Sequence, residues 1–142
     1  MNERGMPIPV RTVGAVLVRD GKILLGRRSA HKREFPGMWD VVGGHVEAGE
    51  DDVAALVREL KEELDVEATG FAPCAAYTFG NGMRMQVFIV DAWRGVPIIN
   101  NDEHSELQWF DIDAACALSD LASPEYIGMF GTVRARVLSR AR

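Results

Sequence analysis

GHVEAGEDDVAALVRELKEELDV, residues 44–66, decides most of what this chain can be. It holds Gly44, five residues, Glu50, seven residues, and then Arg58-Glu59-Leu60-Lys61-Glu62-Glu63. Val53, Leu56, Val57, Leu60 and Leu64 recur at i, i+3, i+4, i+7 and i+11. That period predicts an amphipathic helix running to about Leu64, with Asp51 or Asp52 as its N-cap. On such a helix Glu59 and Glu63 lie one turn apart with Glu62 beside them, roughly opposite the apolar stripe. Three like charges so close repel by some tenths of a kcal/mol per pair unless neutralised, and Arg58 offsets part of that. Ala55, one turn before Glu59, leaves room over the acidic face. Carboxylate oxygens are hard donors, and no histidine or cysteine accompanies them. The expected ion is therefore Mg²⁺ or Mn²⁺ rather than zinc. A bare EXXEE is more often the solvated face of a surface helix. The extended spacing changes that reading, because six specified positions match by accident only about once in 10⁷ starts.

Outward from this helix, the sequence alternates strands and turns. Residues 10–19 form a valine-rich buried strand, Asp20-Gly21 a hairpin turn, and residues 22–28 the returning strand. Residues 29–38 read as a polar loop, and 39–42 as a short strand broken by Gly43-Gly44. Beyond the helix, residues 67–79 and 83–93 read as strands joined by Gly80-Asn81-Gly82. A short strand at 107–110 and helices at 111–118 and 124–140 complete the pattern. Strands mixed with helices, several joined as hairpins, predict an α+β domain built as a mixed-sheet sandwich.

With 142 residues and 47% hydrophobic content, the chain fits one globular domain, residues 1–142. Its 14 glycines and 6 prolines are dispersed, with no repeat or linker. A formal charge of −5 argues against general nucleic-acid binding, which favours a basic surface. An acidic protein that binds polyphosphate must bring cations to the site, as metal or as local arginines. No stretch approaches a membrane span, and the first twelve residues lack the apolar core of a signal peptide. Cys74 and Cys116 share no ligand or redox spacing and read as reduced thiols of a cytoplasmic protein.

Residues 44–66 resemble the signature of the Nudix hydrolase superfamily and its MutT-like members: Gly, five residues, Glu, seven residues, Arg-Glu-aliphatic-any-Glu-Glu-any-Gly-aliphatic. One position departs, Asp65 standing where the family has a helix-ending glycine in left-handed conformation. Aspartate tolerates that conformation better than most residues. The resemblance implies an α/β/α sandwich with a mixed sheet and a Mg²⁺-dependent pyrophosphohydrolase of nucleoside diphosphates linked to another moiety. It implies Glu59 and Glu63 as the principal metal ligands, and Glu62 as a third ligand or a proton acceptor. A carbonyl of Gly43 or Gly44 would complete the coordination, and an Arg58–Glu50 pair would fix loop to helix. Some relatives keep the catalytic base late in the chain, where Glu103 and Glu106 are the candidates.

Arg27 and Arg28 end the second strand and are candidate phosphate-binding residues; alternation lets only one face the site, and the resemblance inclines to Arg28. His31, Lys32 and Arg33 read first as a solvated loop, with a phosphate-facing patch beside Arg27 and Arg28 the alternative, and His104 reads as a loop residue. Phe35, Trp39, Tyr77, Phe79 and Trp109 read mostly as core, with a base-stacking residue among them an alternative.

The resemblance favours a nucleoside triphosphate or modified nucleotide as substrate, with ADP-ribose and nucleotide sugars next. Two other classes compete. Residues 27–50 also resemble isopentenyl diphosphate isomerases, which use a cysteine before the signature, whereas both cysteines here follow it. A non-catalytic nucleotide-sensing module would be expected to lose motif carboxylates, and this chain keeps them all. The last helix either closes the sandwich or docks a second subunit as a homodimer.

Overall fold

Asp20-Gly21, both at positive φ, reverses the chain between β1 (Arg11–Arg19) and β2 (Lys22–Arg28). The computed structural model describes Gly5 and residues 10–140. The signal-peptide reading therefore falls largely on residues outside the described ones. After β2 come β3 (Trp39–Asp40), β4 (Val42–His45), α1 (Asp52–Leu64), β5 (Glu67–Thr78), β6 (Arg84–Arg94) and β7 (His104–Asp111). Helices α2 (Ile112–Cys116) and α3 (Tyr126–Arg140) close the chain.

β1 organises the seven-stranded sheet, because it changes partner along its length. Its first half pairs antiparallel with β4, from Thr12↔His45 to Ala15↔Val42. Its end pairs with β2 at Val18↔Ile23. Its other edge runs parallel to β6 from Arg11↔Arg84 to Leu17↔Val90, and β6 continues antiparallel to β5. β2 carries β3 and β7, both antiparallel. The sheet is mixed, as expected. Pro73 sits in β5 at the sheet edge, where a missing N–H costs least.

Alternation along β1 divides the core. Val13, Ala15 and Leu17 pack with Leu56, Leu60 and Leu64 of α1 on one face. Val16 and Val18 pack with Met129, Phe130 and Val133 of α3 and Ala115 of α2 on the other. Helix, sheet and helix thus form three layers, the α/β/α sandwich. Each fully buried leucine of α1 contributes up to about 2–3 kcal/mol of apolar burial.

The structure moves several sequence boundaries. Gly43 and Gly44 do not break a strand but lie inside β4, and the interruption falls at Val41. β7 begins at His104 rather than 107, so Glu106 is a strand residue and not part of a loop. On α1, Val53 is 42% exposed while Ala55 is fully buried. Ala55 therefore belongs to the core and leaves no open space over the acidic face. The buried side of the helix is rotated toward the glutamates, and this places Glu63 inside. Asp51 is the N-cap, accepting from the Ala54 N–H at 2.8 Å, and Asp65 is left-handed at φ 55°, ψ 40°.

Candidate active site

β4 is paired only with β1, so its other side is free to meet α1. Gly44 makes that contact close, and Gly43 lets β4 lie tight against β1. A Cβ on Gly43 would lie 1.9 Å from the Val13 carbonyl oxygen, and one on Gly44 would lie 2.4 Å from Glu59 Oε1. No larger residue fits either position without displacement. Packing thus lays the Glu59 carboxylate directly on the strand. Glu63, one turn later, is 3% exposed, and its Oε2 has no hydrogen-bond partner. Burial, then the neighbouring charges of Glu59 and Glu103, push the Glu63 carboxyl up to about 9; the Gly43 N–H and the Lys32 ammonium oppose this. Burial also raises Glu59, against the pull of Arg58.

Arg58 binds this cluster to the loop before the helix. Its Nε and Nη2 donate to the two Glu50 oxygens at 2.8 and 2.9 Å, a bidentate pair. Nη2 also donates to the His45 carbonyl at 2.9 Å, and Nη1 to Glu59 at 3.0 Å and Glu62 at 3.1 Å. Its hydrogen bond holds Glu50 down at about 2. Glu62 is the outlying member, with a side chain 54% exposed.

Glu103 reaches the cluster from a different part of the chain. The segment before it crosses the C-terminal end of α1: the Ile98 N–H donates to Leu64 O and the Asn100 N–H to Glu63 O, at 3.1 and 2.9 Å. Asn100 Nδ2 donates to Glu62 O at 3.2 Å. Asn100 thereby meets carbonyls that the helix leaves unpaired, and fixes where Glu103 emerges. Lys32 forms an ion pair with the Glu103 carboxylate. Glu106 is not brought to the cluster. It is paired with Arg27 in register, its carboxylate 3.8 Å from that guanidinium. Arg27 in turn lies over the Trp39 ring, 5.2 Å from its centroid, in the α3-side core.

Arg28 does not touch the cluster either. It donates to Glu34 O at 2.7 Å and to Asp40 at 3.3 Å. Burial raises Asp40, which shares hydrogen bonding with Tyr126 and Arg28. His104 is no loop residue but a buried strand side chain, held neutral by burial, which lowers it to about 4. Trp39 is core, Phe35 is half exposed, and Tyr77 lines a concavity of about 350 Å³ with Thr12, Arg84, Met85 and Gln86. That concavity opens on the α3 side of the sheet, where Tyr77 and Met85 pack, with Thr12 on its rim one strand from β4.

The profile of the NUDIX domain matches residues 8–129 of this chain. The chain belongs to the Nudix hydrolases. It is 37% identical over 103 residues to the CTP pyrophosphohydrolase of Escherichia coli (strain K12), covering 70% of this chain and 74% of that one. It is 33% identical over 114 residues to an isopentenyl-diphosphate Delta-isomerase of Salmonella heidelberg (strain SL476), covering 74% of this chain and 62% of the isomerase. The crystal structure of a MutT NUDIX hydrolase from Burkholderia pseudomallei superposes with a TM-score of 0.77 at 28% identity, over 89% of this chain and 99% of that one.

This Nudix hydrolase presents the donors a hard divalent cation takes. The buried, unpartnered Glu63 oxygen beside Glu59 is costly without a proton or a cation. Among the described residues no three acidic or histidine side chains already converge to ligand distance. Arg58 holds Glu59 and Glu62, and Lys32 holds Glu103. Glu59 and Glu63 lie on α1, and Glu103, just ahead of β7, bears on both through its charge. Asn100 was not legible as a neighbour of the cluster, because only the crossing of residues 95–103 over α1 brings it there; Lys32, read first as a solvated-loop residue, is instead paired with Glu103. Across the described residues no helix is long and apolar enough to cross a membrane.

Proposed function

We propose that this Nudix hydrolase is a Mg²⁺- or Mn²⁺-dependent pyrophosphohydrolase of nucleoside triphosphates. The carrying observation is the orphaned Glu63 oxygen, buried beside Glu59 against two glycines that admit no side chain. In this reading Glu59 and Glu63 hold the ion, a Gly43 or Gly44 carbonyl adds a donor, and Glu103 completes the set from the opposite wall. A divalent ion held by these residues would supply neutralisation of phosphate charge and a lowered water pKa, so that a hydroxide nucleophile is available near neutral pH. Glu62, at the exposed mouth and hydrogen-bonded to Arg58, would accept the proton of the attacking water on its carboxylate. Arg58 and Glu50 keep helix and loop in fixed relation throughout.

The nucleoside occupies the concavity beside Thr12, with Tyr77 against the base and Arg11 and Arg84 near its edge. The 37% identical CTP pyrophosphohydrolase puts CTP first among the substrates to try. The bond between α and β phosphates breaks, giving a nucleoside monophosphate and pyrophosphate. The isomerase reading is weaker here, since Cys74 and Cys116 both pack against the core on the α3 side.

A panel of nucleoside triphosphates, ADP-ribose and nucleotide sugars with Mg²⁺, separating pyrophosphate from orthophosphate, tests this reading. Pyrophosphate released from at least one triphosphate is the expected result. Orthophosphate as the only product, or conversion of isopentenyl diphosphate to its allylic isomer, would replace it.

A further inference from the structure

Two cations face the carboxylate cluster, and they differ in how tightly they are held. Arg58 is fixed by hydrogen bonds to Glu50, Glu59, Glu62 and His45 O. Lys32 sits on the loop between β2 and β3, with one ion-pair partner, Glu103. Its charge also bears on Glu63 and on His104. The loop is tied to the Glu103 segment at further points. The Ser29 N–H donates to Glu103 O at 3.1 Å, and Ser29 Oγ donates to Asp102 O at 2.6 Å. His31 adds a looser pair with Asp102 at 3.8 Å.

We propose that Lys32 is a positioning residue that holds Glu103 over the cluster and competes with the divalent cation for it. The inference rests on the metal-site reading above. The physical reason is that one carboxylate cannot be fully shared by an ammonium and a metal ion at close range, since the two cations repel. When the ion takes Glu103, the Lys32 ammonium is released where the polyphosphate lies. A lysine suits this exchange: its flexible stem lets a compact charge move, whereas an arginine fork stays where its hydrogen bonds are. The same side chain therefore weakens metal binding before substrate arrives and strengthens substrate binding afterwards.

Those two effects have opposite signs, which separates them from damage to the fold. Mn²⁺ is titrated by electron paramagnetic resonance, without substrate, into wild type, Lys32→Met, Glu103→Gln and the double variant. Lys32→Met is expected to bind Mn²⁺ roughly three- to tenfold more tightly, while KM for the nucleotide rises by a similar factor. In the Glu103→Gln background the same change should alter Mn²⁺ affinity less than about twofold, because the competition has lost its object. Lys32→Arg should leave KM raised, because its fork stays on Glu103.

Unchanged or weaker Mn²⁺ binding in Lys32→Met overturns the inference and leaves the hydrolase reading standing. An equal gain in the Glu103→Gln background overturns it too, since Lys32 would then act as a general charge. Wild type that binds no Mn²⁺ overturns both readings together.

Discussion

Glu63 is the residue whose environment is most costly as it stands. Without metal its carboxyl keeps a proton up to about 9, while in the unfolded chain it loses it near 4.5. Between those values the folded form binds more protons than the unfolded form, so stability falls as pH rises through that window. Thermal melts of the chelated protein should therefore decline from pH 5 to pH 9, and Glu63→Gln should flatten the slope. The same substitution should lower Mg²⁺-dependent turnover by about 10³-fold or more, because a neutral amide replaces an anionic ligand. Gly44 supplies a second test. A Cβ there would collide with Glu59 Oε1, and pushing that carboxylate aside by about 1 Å should cost roughly 100-fold in kcat/KM with little change in melting temperature. A Gly44→Ala enzyme as fast as wild type would show that Glu59 need not lie on the strand.

At the scale of elements, α1 shows what the sequence could and could not tell. Its length and an N-cap at Asp51 or Asp52 follow from local chemistry and were legible from the residues alone, whereas the left-handed Asp65 was implied by the family resemblance. Asp51→Ala should lower stability by about 1 kcal/mol, read from a denaturant midpoint. Asp65→Gly relieves the positive φ but gives up the 2.7 Å pair with Lys61, an exposed interaction of small value. A rise of about 2 °C in melting temperature with unchanged kcat/KM is the expected outcome. What misled the pattern was the rotation of the helix. Hydropathy places Val53 inside and Glu63 outside, whereas contact with β4 buries Ala55 and Glu63 and leaves Val53 in water. The glycines misled for a related reason: read locally they end a strand, and only pairing with β1 shows that they continue it.

The whole molecule joins a locally encoded half-site to one that only folding assembles. Residues 44–66 announce the first wall of the site in sequence. The second wall needs residues 95–103 to cross the end of α1 and the loop after β2 to meet them, contacts between segments up to some seventy residues apart. No local pattern separates Glu103 from Glu106. The structure does, because register sends Glu106 to Arg27 on the far face. The central claim is that these two walls close on a divalent cation. A crystal grown with Mn²⁺ and a non-hydrolysable nucleoside triphosphate, measured for anomalous scattering, tests it most directly. The account predicts a manganese peak bonded to oxygens of both Glu59 and Glu63, with the α and β phosphates beside it. A peak elsewhere, with the Glu63 carboxylate still unliganded and the nucleotide away from the paired glycines, would contradict it.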